Sequence, residues 1–175
     1  MPLTVLCALA AQLTMQWAMR RAEHPLSLNA ANLVSDPDEQ RRLYALLLEQ
    51  GTFHWFVRTE LIDLLWALSL AAALVWVTTA VGRGHPQGSR WRRLALATVP
   101  LAVVVPAIDL VENAFSLTML ADPDGFADWL APTHAAVSRT KLTGLAIVLP
   151  YYGLHAVVLG VRALSTPHRR ERVRG

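Results

Sequence analysis

Apolar residues along this chain come in long runs, and the charges are confined to blocks between them. Met1–Met19, Leu64–Gly82 and Leu142–Val161 contain no Asp, Glu, Lys or Arg. Each run is about the 18–20 residues that a helix needs to cross the hydrocarbon of a bilayer. A fourth run begins at Leu94 but meets Asp109, and it reaches that length only by continuing through PAIDLVENAF to Leu120. The pattern predicts an all-α fold: a polytopic membrane four-helix bundle with spans at about 1–19, 60–82, 94–120 and 139–164. These form one domain, 1–165, followed by a basic tail, 166–175.

The connection between the first two spans contains SDPDEQRRLYALLLEQG, which predicts a short amphipathic helix over about 37–50. Asp36 is placed as N-cap, Pro37 in the first turn, Glu39 for a capping box and Gly51 as terminator. Leu43, Tyr44 and Leu47 fall on one stripe, which suits packing over the mouth of the bundle or lying on the membrane surface. Trp17, Trp55, Trp91 and Trp129 fall near predicted span ends, where an aromatic belt would lie. Ala67, Ala71 and Thr78 form a small-residue stripe that permits close helix contact.

Composition agrees with the pattern: 54% of the 175 residues are hydrophobic and 17% are charged, with a net charge of +3. That charge comes largely from arginines in loops and tail, so it speaks to orientation before nucleic acid, and no nucleic-acid partner is expected. Arg83, Arg90, Arg92 and Arg93 precede the third span, and Arg169, Arg170, Arg172 and Arg174 follow the fourth. The positive-inside rule puts both groups, and both termini, in the cytoplasm of a cell with the chain in its inner (plasma) membrane. The tail arginines set topology or touch anionic headgroups. The acidic connection with Asp122, Asp124 and Asp128 suits the outer side, although the first connection also carries Arg20, Arg21, Arg41, Arg42 and Arg58 there. Met1–Met19 lacks a basic n-region and a small-residue cleavage site, which favours a retained span over a signal peptide. The single Cys7 allows no intrachain disulfide.

The chemistry concentrates in the third span. On a helix, Asp109, Glu112, Asn113 and Ser116 share one face, with Pro106 a turn earlier and Pro100 as a second bend. A charge at the centre of a spanning helix costs roughly 2.5–3.5 kcal/mol, so these groups need partners, protons or water. Lys141 and Arg139 at the start of the fourth span, Glu60 and Asp63 at the start of the second, and Gln12 and Gln16 on the first all approach the same outer layer. Lys141, Gly144, Val148, Tyr152 and His155 predict a polar seam running from that layer toward the bilayer centre. Each group also has a plainer reading: buried salt bridges as glue, a packed histidine, tyrosines with one satisfied hydroxyl, and carboxylates favoured at a helix N-terminus.

The DLVEN of Asp109–Asn113, the SRTK of Ser138–Lys141 and the acidic start of the second span resemble those of small four-span bacterial integral membrane proteins with an Asp-x-x-Glu-Asn motif, a group with no assigned activity. The resemblance implies a four-helix membrane fold and no particular reaction. Four functions stay open: a polar ionisable pocket near the outer leaflet that binds a lipid or small amphiphile; a lipid-modifying enzyme with Glu112 or Asp109 as acid or base and Lys141 or Arg139 on an anionic headgroup; a proton-coupled transporter; and an accessory subunit of a membrane complex. The expected partners are the bilayer, such a ligand, and a homodimer mate or another membrane protein. The chain has no Ser or Cys nucleophile beside a base, no Gly-rich phosphate loop, no HExxH and no dense Cys/His set, so no metal or cofactor is expected.

Overall fold

The computed structural model describes residues 3–165, so the expectations for the arginine tail lie outside the described residues. The described residues are helical with no strand: α1 (Leu3–Ala22), α2 (Leu28–Ala31), α3 (Pro37–Glu49), α4 (Phe53–Gly84), α5 (Arg90–Ala97), α6 (Val99–Ala121) and α7 (Leu130–Ser165). Among the described residues two stretches are long and apolar enough to cross a membrane, α4 and the α5–α6 unit over Arg90–Ala121. α1 is less apolar, because Gln12, Gln16 and Arg20 interrupt its run.

The helix bounds differ from the periodic reading, and local signals account for it. Gly51, at φ +71°, ends α3 and lets the chain turn at once into α4, which therefore starts at 53 and not near 60. At 32 residues α4 is about 48 Å long, well beyond the ~30 Å of a hydrocarbon core. α7 starts at 130, two and more turns before the expected 139, because Pro132 falls in its first turn, where a missing N–H costs nothing. The expected third span is two helices that meet at Thr98. Pro100 lies in the first turn of α6 and starts that helix, whereas Pro106 is buried inside it and removes one backbone donor.

α3 follows its predicted chemistry closely. Asp36 caps it by accepting from the Asp38 N–H at 3.0 Å, and Leu43, Tyr44 and Leu47 are buried. Glu39 does not close a capping box; it pairs with Arg42 one turn on, at 2.7 Å.

α4, α6 and α7 pack against one another, while α1 packs chiefly along α4. The long helices thus form one packed unit in which α4 is the shared neighbour. Two apolar layers fill it. One, at the end capped by α2 and α3, contains Tyr44, Leu47, Phe56, Met119 and Phe126. The other contains Leu74, Ala102, Val105, Val148 and Tyr152. Elsewhere the long helices expose large apolar residues outward, among them Leu65, Leu68, Val104, Ile147 and Leu154. Exposed apolar surface of that extent marks a face that meets a membrane or another protein.

Candidate functional site

Between the two apolar layers lies a layer of polar groups. α4 contributes Glu60 and Asp63, α6 contributes Asp109, Glu112, Asn113 and Ser116, and α7 contributes His134, Ser138 and Lys141, all buried. On each helix the polar members recur at three- and four-residue spacing, so one face carries them all inward. Four carboxyl groups and one ammonium are thereby buried in one place.

Lys141 is the hub. Its Nζ lies 2.9 Å from Asp109 Oδ1 and 2.5 Å from Glu112 Oε2. The other oxygen of Glu112 is equally engaged: Ser138 Oγ donates to Oε1 at 2.8 Å and Asn32 Nδ2 donates to it at 2.7 Å. His134 Nε2 stands 3.9 Å from the same oxygen. Glu112 thus ties the strand of chain after α2 to both α6 and α7. Glu60 neighbours Ser116, and Asp63 neighbours Asn113, Asp109 and Lys141. One ammonium cannot balance four carboxylates, and an unpaired buried ion costs several kcal/mol. The surplus negative charge must therefore be neutralised within the layer.

The cap isolates this layer from water. Tyr44 and Phe56 are 1% exposed, and Tyr44 also meets Phe126 edge-on at 6.2 Å between ring centres. Burial, reinforced by the negative charge of Glu60, holds the Tyr44 hydroxyl above its ordinary range and keeps it neutral. His24 stacks on Phe56 at 5.0 Å, and burial lowers its pKa against a smaller opposing effect of the Leu26 backbone. Arg41 fastens α3 across the end of the bundle by donating to the Phe126 carbonyl at 2.8 Å and by pairing with Asp128 and Asp38.

The remaining candidates lie elsewhere. Gln16 is exposed, because α1 packs chiefly on α4 and turns that face away; it borders a groove with Gln12, Arg20 and Asn29. Arg139, two residues before Lys141, is rotated about 200° from it and is exposed on the outer surface of α7. Tyr152 and His155 are buried, but about 16–21 Å along α7 from Lys141. The expected polar seam is interrupted, since Gly144 packs against Val105 and Val148 joins the second apolar layer. Tyr152 donates to the Thr98 carbonyl at 3.4 Å, at the joint of α5 and α6. His155 belongs to an aromatic group with Tyr151, Trp91 and His85, at 4.6, 5.8 and 6.0 Å between ring centres.

Asn32 and His134 were absent from the sequence-based site. His134, Ser138 and Lys141 stand at i, i+4 and i+7, a signal visible once α7 is known to begin at 130. Asn32, at the end of a four-residue helix, left no periodic trace.

On the outer surface, α6 and α7 leave a groove of about 480 Å³ between them, lined by Val104, Ala107, Ile108, Val111, Ala136 and Thr140, among others. It continues into a second hollow of about 460 Å³ that shares Val104, Ile108 and Thr140 and has Arg139 on its rim. Among the described residues no set of three or more His, Cys, Asp or Glu is arranged to hold a metal ion. No known protein family, curated protein or solved structure matches the chain.

Proposed function

We propose that the chain is a multi-pass membrane protein that binds a lipid or small amphiphile near the outer leaflet. In this reading the capped end faces outward and the α5 end faces the cytoplasm, the side on which the positive-inside rule puts Arg83, Arg90, Arg92 and Arg93. The observation that carries this reading is the apolar groove between α6 and α7, which opens on the same face as Arg139. An acyl chain fits the aliphatic walls, and the Arg139 guanidinium, which forms no ion pair among the described residues, suits the anionic headgroup of the same molecule. The buried layer has the supporting role: the Lys141 contacts to Asp109 and Glu112 hold together the two helices that form the groove walls. This moves the ligand from the ionisable cluster itself, which is sealed, to the surface behind it.

The test is lipid retention. Native mass spectrometry after detergent extraction should find a lipid or amphiphile on the wild-type protein and little on Ala136→Trp, which fills the groove. Arg139→Gln should retain the chain but lose preference for anionic headgroups. Equal retention by wild type and Ala136→Trp would refute the reading. A second reading, proton-coupled transport, draws on the surplus of buried carboxyl groups; the apolar layer of Val105, Val148 and Leu74 below them argues against a continuous path.

A further inference from the structure

The α5 end carries a group of cations that meet no carboxylate among the described residues. Between Asp63 and Asp109 the sequence has no Asp or Glu, yet it includes Arg83, Arg90, Arg92 and Arg93. Among the described residues none of these four arginines forms a salt bridge. This differs from the capped end, where Arg41 and Arg42 each pair with a carboxylate of their own helix.

α5 is held in a fixed rotation. Ser89 caps it by accepting from the Arg92 N–H at 3.1 Å. Ala95 is buried, and Leu96 lies so close to Gly82 of α4 that a β-carbon at 82 would come within 2.8 Å of its side chain. Trp91 packs beside His85 and His155. With that side committed, Arg90, Arg93, Leu94 and Ala97 are left exposed and line a shallow hollow of about 400 Å³. At spacings of three, four and seven residues they form one stripe, with two guanidiniums at the start and two aliphatic side chains after them. The order is that of a phospholipid: phosphate first, chain next.

We propose that this stripe on α5 is a binding site for one anionic phospholipid of the cytoplasmic leaflet, with Arg90 and Arg93 on the phosphate and Leu94 and Ala97 under the first methylenes. Charge complementarity selects the occupant, since two guanidiniums without an ion pair among the described residues, at headgroup depth, favour a net-negative lipid over a zwitterionic one. The site rests on the membrane orientation proposed above, but not on the groove between α6 and α7.

Thermal unfolding in nanodiscs tests it. Replacing part of a phosphatidylcholine bilayer by phosphatidylglycerol should raise the melting temperature of the full chain. Arg90→Gln/Arg93→Gln should remove most of that rise while melting like wild type in pure phosphatidylcholine. Apparent affinity should fall about fivefold for each guanidinium removed. Arg90→Lys/Arg93→Lys, which keeps both charges, should retain much of the rise, and in the Ala136→Trp background the two glutamine substitutions should still lower it, which separates this site from the groove. The proposal is overturned if wild type shows no rise, if the glutamine variant keeps it, or if deleting 166–175 alone abolishes it. Failure of the chain to enter nanodiscs would overturn the membrane orientation as well.

Discussion

The two ends of the helical unit handle charge in opposite ways. At the capped end the ionisable groups point inward and sit in a closed layer, where Lys141 meets Asp109 and Glu112. At the α5 end the arginines point outward, and helix contact depends on small residues, with Leu96 against Gly82. The first end therefore depends on electrostatic pairing inside the fold, whereas the second depends on shape inside and leaves its charge for the surroundings. The same helices, α4 and α6, take part in both, so the difference comes from side chains and not from architecture.

The largest effect expected from breaking this contrast is at Lys141. Lys141→Met strands Asp109 and Glu112 together in a dry layer, a loss of about 3–5 kcal/mol, enough to leave little folded protein. Unfolding in detergent micelles, or the yield of monodisperse protein, would measure it. Survival of the variant at wild-type stability would show that the layer is hydrated.

A finer test compares the carboxyl groups with one another. Glu112→Gln removes the charge that meets Lys141 and should cost about 1–3 kcal/mol. Glu60→Gln and Asp63→Asn remove surplus negative charge from groups without a cation of their own. Each should lie within about 1 kcal/mol of wild type, or be stabilising. Chemical denaturation of the three variants side by side gives the ranking, and equal losses would mean that the four carboxyl groups act as one unit.

At the other end the smallest change is expected. Gly82→Ala meets only the flexible tip of Leu96, and it gains helix propensity, so the net effect should stay below about 1 kcal/mol. A larger loss, read from the melting temperature, would show that α5 cannot shift to relieve the contact.

Much of the polar layer was visible in the sequence, because helical spacing alone aligns Asp109 with Glu112, Asn113 and Ser116, and Glu60 with Asp63. Periodicity also put Lys141 on an inward stripe. It gives no information about which side of α1 meets the rest, so it places Gln16 inward although α1 packs chiefly on α4 and leaves that face exposed. Arg139 was grouped with Lys141 by proximity in sequence, whereas two residues on a helix point to nearly opposite sides. The stripe from Lys141 to His155 does face inward, but its composition changes midway from polar to apolar, and spacing does not report what lies across from it. The contribution of Asn32 depends on a tertiary contact across 80 residues of sequence, beyond the reach of any local pattern.

The position of the cation along the chain has a consequence for assembly. All four carboxyl residues precede Lys141 in the order of synthesis. Until α7 is made and docks, α4 and α6 hold acids that no ammonium meets, and their union is incomplete. The last helix thus acts as a latch: a chain cut short before residue 141 cannot close the polar layer, and an unfinished copy is left marked by its own uncompensated charge.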